Sequence, residues 1–128
     1  MTDPKDREIL AVLDNLYRAW ADNDADAFVA DYTEDMTSII PGSYSVGPAA
    51  TRDRLAESFA GPLKGSQVRD QVQSVRRLGA DAAVVVSRSN VLMAGETQPA
   101  DDRWVLATWT LTRRDGRWLL AAYHNCPA

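Results

Sequence analysis

From residue 67 to its end, this 128-residue chain carries no helical apolar stripe. Four strand-like runs fill that half. Residues 67–78 are polar with spaced valines, and residues 82–93, "AAVVVSRSNVLM", open as a continuous apolar run. Residues 103–113, "RWVLATWTLTR", alternate in part, and "WLLAAYHN" (118–125) follows an Asp115-Gly116 pair. Asp-Gly between two apolar runs is a strong hairpin signal. The strands therefore form an antiparallel meander that must find its cover elsewhere in the chain.

That cover lies in the first half. Ile9, Val12, Leu13, Leu16 and Trp20 recur at helical spacing and give one apolar face, with Asp3 as the cap and Pro4 at the first helical position. Asp24 caps a short second helix carrying Phe28 and Tyr32 one turn apart. A short strand over 35–40 stops at "PGS". Gly47-Pro48 opens a third helix with Leu55 and Phe59, which Gly61-Pro62 closes. Helices first and strands afterwards define an α+β class, with three N-terminal helices packed on a curved, mostly antiparallel sheet. Residues 1–128 suit a single domain with one core.

Composition narrows the function. The formal net charge is -4, and residues 1–35 hold 10 acidic against 3 basic residues. A nucleic-acid-binding face is normally strongly basic, so no nucleic acid is expected as a partner. No apolar run reaches the roughly 20 residues that span a bilayer, so no membrane is expected either. The acidic, polar N-terminus does not read as a secretion signal, and one lone cysteine suits a reducing cytoplasm. The chain has no glycine-rich phosphate loop and no cluster of metal-ligand residues, so neither cofactor nor metal is expected.

Both faces of two strands are apolar: "AAVVV" at 82–86 and "WLLAAY" at 118–123. Helices can cover only one face of a sheet, and an antiparallel sheet that leaves its other face to water should alternate apolar with polar. The expectation is a homodimer through the sheet, over Leu119, Ala121 and Tyr123, with Val105, Ala107 or Trp109 nearby.

The order and the wording of these elements resemble the NTF2-like superfamily, and within it the SnoaL-like group. The resemblance is carried by "AWADNDADAFVADYTEDM" (19–36), "VGPAATRDRLAESF" (46–59) and "RRDGRWLLAAYHN" (113–125). It is nearest to the SgcJ/EcaC type, found with enediyne and other polyketide biosynthetic genes. It implies a cone: a curved sheet wraps a long helix and leaves a pocket at the open end. It implies a hydrophobic, polyketide-like small molecule as the ligand, with cofactor-independent isomerase, cyclase or hydrolase activity. A non-catalytic carrier and a protein-interaction module are the rival readings.

Comparison with ketosteroid isomerases of this superfamily is informative where it fails. Their carboxylate base falls at Ile40, before Pro41, and an isoleucine takes no proton. The helix-one phenol falls near Leu16, with Tyr17 about 100° further round the helix. Arg88 suits the arginine of an epoxide hydrolase, without a clear aspartate partner.

The only histidine, His124, and the only cysteine, Cys126, stand one residue apart near the end of the chain. Strict alternation puts Trp118, Leu120, Ala122 and His124 on one face of the last strand. The resemblance turns that face inward, making His124 the candidate catalytic acid or base, or an anchor for a ligand hydroxyl or carbonyl. The plainer alternative is a histidine bonded to backbone at a sheet end. Candidate ligand-binding residues are Trp20, Tyr32, Ile40, Arg88, Asn90, Trp104 and Trp118, with Tyr44 as a lip in the loop after the first strand. The aromatic members serve equally well as core filler.

Overall fold

A computed structural model describes residues 3–128. Three helices precede most of the sheet, as the pattern predicts. Helix α1 spans Pro4–Ala21, α2 Ala25–Phe28 and α3 Pro48–Phe59. The strands are β1 (Tyr32–Ile40), β2 (Ser43–Val46), β3 (Gln67–Arg77), β4 (Ala82–Leu92), β5 (Val105–Arg114) and β6 (Arg117–Pro127). The expected strand at 35–40 begins earlier, and β2 is an addition the sequence pattern did not reveal. A 3-10 turn, Asp101–Arg103, leads into β5.

The expected caps are in place. The Asp3 carboxylate accepts from the Lys5 amide at 2.8 Å, and Asp24 accepts from the Ala27 amide at 3.1 Å. Each satisfies one of the amides a helix start leaves without an intrahelical partner. Asp115 and Gly116, at φ 53° and 74°, form the two-residue loop of the β5–β6 hairpin. Both φ values are positive, as a type I′ turn requires.

The six strands are ordered β2-β1-β6-β5-β4-β3. All neighbours are antiparallel except β1 and β6, which run parallel. The chain's last strand is thus inserted beside its first, and the meander is locked to the helical half. Ile9, Leu13 and Leu16 of α1 join Ala83, Val85, Leu111 and Leu120 in the core, all nearly or fully buried. Across the sheet, Arg77 at the end of β3 reaches Asp3 and Asp6 at the start of α1, at 3.2 and 3.6 Å.

The sheet curves because its strands are interrupted. In β6, Leu111 of β5 faces Leu120 but Thr110 faces Ala122, so Ala121 is an extra residue. In β3, Gln73 is extra: Val72 faces Ser87, and Ser74 faces Val86. The β1–β6 register also shifts between Tyr32 and Thr37. An extra residue bends a strand and reverses its alternation. Before Ala121, Trp118 and Leu120 are buried; after it, Tyr123 and Asn125 border the interior, and His124 is exposed.

The reversal overturns two expectations. His124 lies on the outer face, opposite Thr108 and Ile39, and not inside the cone. The expected outer set is also wrong in part: Leu119 does face outward between Trp118 and Leu120, but Tyr123 and Trp109 pack with the core, Ala107 is buried, and Val105 borders the interior. The exposed positions of that face are instead Leu106, Thr108, His124, Cys126, Ile39, Tyr44 and Val46. Cys126 sits within β6, opposite Leu106, and not on a tail beyond the strand.

Deleting Ala121 should force strict alternation and drive Tyr123 and Asn125 toward solvent. The expected loss is roughly 3 kcal/mol or more, the scale of a large buried side chain removed from its site. Cys126→Ser should stay within about 0.5 kcal/mol, as exposed substitutions do. Urea denaturation of the two variants checks both values.

Candidate functional site

The curved sheet and the helices enclose a cavity of about 200 Å³. Its walls come from α1, α2, β1, α3 and the strands β3 to β6, together with Leu63 and Arg103. Most of the surface is apolar, as ligand-binding cavities usually are. An aromatic group closes one side. The Trp20 ring meets Phe59 and Phe28 edge-on at 5.3 and 5.8 Å, and Phe28 meets Tyr32 at 6.1 Å. The Trp20 indole N–H donates to the Ser66 hydroxyl at 2.9 Å, which fixes the ring. On the opposite side Trp109 stacks at a tilt on Tyr123, with ring centroids 4.1 Å apart.

A polar group lies beneath this lining. The Asp70 carboxylate, on β3, accepts from the Ser89 hydroxyl at 2.5 Å and from the Ser87 hydroxyl at 3.2 Å. The Tyr17 phenol donates to it at 3.2 Å. Three accepted hydrogen bonds suit an ionised carboxylate, which can only accept. Asp70 forms no ion pair among the described residues. Of this group, Tyr17 and Ser89 reach the cavity surface. Tyr17 does so because the curved sheet embraces α1: both Leu16 and Tyr17 border the cavity although they lie about 100° apart on the helix.

The tyrosines are tuned by burial. Desolvation pushes the Tyr17 phenol well above the usual range, and the neighbouring Asp70 charge adds to the rise. Tyr32 is raised by burial and partly relieved by the Arg54 cation. Burial raises Tyr123 as well, opposed by a hydrogen bond from Asn125, while the Asp70 charge adds to the rise and Arg54 relieves it.

The residues singled out from the sequence separate into two sets. Trp20, Tyr32, Ile40 and Asn90 border the cavity. Asn90 also donates to the Ala100 carbonyl at 2.8 Å, holding the β4–β5 loop in place. Arg88 and Trp104 are elsewhere: the Arg88 guanidinium stacks on the Trp104 ring at 4.1 Å on the outer side of β4. Alternation explains this, because Ala83, Val85, Ser87 and Ser89 take the inner positions of that strand. Trp118 is a core residue on the wall away from the cavity. Tyr44 is 67% exposed on β2 and faces outward beside Ile39. His124 lies in the same outward row, on the other side of Ile39 from Tyr44, and away from the cavity.

Sequence reasoning passed over Tyr17, Arg54, Asp70 and the two serines. A signal for them existed. Ser87 and Ser89 interrupt an apolar strand at the same parity as Val85, and two small hydroxyls on the core side require a polar partner.

The architecture is the NTF2-like, cystatin-like cone. It superposes on a cystatin-like domain of unknown function from Nostoc punctiforme with a TM-score of 0.88, at 21% identity over 99% of this chain and 80% of that one. It also matches a ketosteroid isomerase-like protein from Erwinia carotovora (TM-score 0.75, 21% identity, 97% and 96% covered). A candidate scytalone dehydratase from Novosphingobium aromaticivorans is similar too (0.79, 16%, 97% and 84%). Residues 9–128 match the SnoaL-like domain, and the chain belongs to that family. No curated protein matches the sequence.

The raised phenols have a consequence at high pH. A group whose folded pKa lies above its unfolded value leaves stability intact below the unfolded value and drains it above. Unfolded tyrosine ionises near pH 10. Stability should hold up to that point and then fall by up to about 1.4 kcal/mol per pH unit for each phenol still protonated in the fold. Ultraviolet absorbance against pH should show Tyr17, Tyr32 and Tyr123 ionising together with unfolding.

Proposed function

We propose that this protein binds a small, ring-bearing, largely apolar molecule in the cone and moves a proton on it. The observation that carries the reading is the Asp70 carboxylate beneath the cavity wall. It has no ion-pair partner among the described residues and is joined to the cavity surface through Tyr17 and Ser89. Three hydroxyl donors from two elements converge on this one carboxylate, and one of them, the Tyr17 phenol, also faces the cavity, which suits a proton relay at the ligand surface. In the proposed step a ligand C–H or O–H proton passes to the Tyr17 oxygen while the Tyr17 proton passes to Asp70. The same path in reverse returns a proton to a different atom of the ligand, so the net change is an isomerisation.

The volume supports a modest ligand. A dry protein cavity of about 150 Å³ accepts benzene, so 200 Å³ suits one or two rings, with a longer tail leaving through the mouth. Such a ligand agrees with a polyketide-like intermediate of the kind the SgcJ/EcaC resemblance implies. The names of the isomerase-like and dehydratase-like structural neighbours agree with proton transfer on a cyclic ketone or alcohol.

A cyclic β,γ-unsaturated ketone serves as a probe, since its conversion to the conjugated ketone changes the ultraviolet spectrum. Tyr17→Phe and Asp70→Asn are each expected to slow the conversion by about 10²-fold or more, the usual contribution of positioned acid–base catalysis. A wild-type rate no faster than buffer would favour the carrier reading, which Ile40 in place of a carboxylate supports.

We further propose that the protein acts as a homodimer through the outer sheet face. Leu106, Ile39, Val46 and Tyr44 are 42–67% exposed there. Tyr44, Ile39, His124 and Thr108 form one continuous row across four strands. Leu106→Arg should convert the dimer to a monomer in sedimentation at micromolar concentration without altering the helical content. A monomeric wild type would remove this reading and leave the cavity chemistry untouched.

A further inference from the structure

We infer that Arg54 makes the cavity a receptor for a carboxylate, so that the ligand is a small cyclic acid. The inference rests on the reading of the cavity as a ligand site and adds the charge of what it takes.

Two arginines border the cavity, Arg54 on α3 and Arg103 before β5. Arg103 is already neutralised. Its Nη2 donates to both oxygens of Glu96, at 2.6 and 2.7 Å, and that carboxylate also accepts from the Met93 amide. Arg54 has no such partner. It takes part in no ion pair or side-chain hydrogen bond among the described residues, and its Nε is buried and unmatched. The nearest arginine in sequence differs sharply: Arg52, facing solvent, is held between Asp26 and Asp53 at 2.7 and 2.9 Å.

An unmatched guanidinium donor in a buried place costs free energy unless something accepts from it. Asp70 does not, although Arg54 and Asp70 both act on the Tyr123 phenol. Arg54 and Tyr123 both border the cavity, while Asp70 lies behind Tyr17 and Ser89. Other unmatched polar atoms share the cavity wall. Thr51, three residues before Arg54 on the same helix face, is 2% exposed with its hydroxyl unpartnered. The Asn125 carbonyl oxygen and the Trp109 indole N–H are also buried without partners.

A carboxylate fits the Arg54 and Thr51 pair. The guanidinium presents parallel N–H donors that match two carboxylate oxygens, and the threonine hydroxyl supplies another donor. The Asp70 carboxylate behind Tyr17 repels an anion, which favours the acid group at Arg54 and leaves its ring to the apolar wall. That wall is also aromatic, which suits a ring.

The test pairs 2-naphthoate with its neutral isostere 2-naphthamide, measured by tryptophan fluorescence and calorimetry on the intact protein. The naphthoate is expected to bind at least about tenfold more tightly, the scale of one charge-assisted hydrogen-bonded pair. Arg54→Met should abolish that preference, bringing naphthoate binding down to the level of naphthamide. Arg54→Lys, which keeps the charge but loses the fork, should retain part of it, and it decides the matter if Arg54→Met fails to fold. Equal binding of the two probes by the wild type overturns the carboxylate inference while leaving the ligand site standing. Binding of neither overturns both.

Discussion

The extra residue at Ala121 sets what the two ends of the cone can do. Up to Leu120, strand β6 directs Trp118 and Leu120 against helix α1 and seals the core. Beyond it the alternation is reversed, and Tyr123 and Asn125 become cavity wall. The bulge at Gln73 acts likewise on β3, with Val68 and Asp70 on the inner side before it and Val75 and Arg77 after it. A sheet without these interruptions would twist but would not wrap a helix so closely. Core and cavity are therefore two halves of one sheet. Strands β3 and β6 change parity between them, while β4 and β5 keep theirs from Ala83 to Ser89 and from Ala107 to Leu111.

Polar groups in the cavity half gain meaning from that arrangement. Asp70 stands between two serines of β4 and the phenol of α1, so a single carboxylate joins three elements of the fold. Electrostatic effects are strong in such a low-dielectric interior. The burial that raises the tyrosine phenols extends their neutral, hydrogen-bonding form to more alkaline pH. Arg54, on α3, borders the same cavity without a partner among the described residues, while Asp70 is held behind Tyr17 and Ser89.

The fold was legible in the sequence because its signals are local. The α1 stripe from Ile9 to Leu16, the caps at Asp3 and Asp24, and the Asp115-Gly116 turn each follow from residue chemistry within a few positions. The candidate site was legible only in part. Trp20, Tyr32, Ile40 and Asn90 do border the cavity, but His124, Arg88, Trp104, Trp118 and Tyr44 do not. The error at His124 has a specific cause. Parity was carried through "WLLAAYHN" as though the strand were regular, and a bulge at an alanine flanked by Leu120 and Ala122 has no residue signature. Tyr17 was set aside on helical angle alone, which fails when a sheet curves around two columns of the helix. Asp70 was not singled out because its partners, Ser87 and Ser89, are distant in sequence and meet it only through strand pairing.

The unmatched polar atoms along the cavity bear on the lifetime of the protein in a cell. Five residues contribute them: Thr51, Arg54, Asn90, Trp109 and Asn125. Each lowers the margin by which the native chain exceeds its unfolded forms. A molecule that matches several of them is held only by the native state, and at about 100 times its dissociation constant it adds roughly 2.7 kcal/mol to that margin. Small changes in that margin alter how often a chain is caught by chaperones and proteases, and so its abundance. The amount of this protein would then follow the supply of its ligand with no change in gene expression, the chain persisting where its ligand is made and being cleared where it is not.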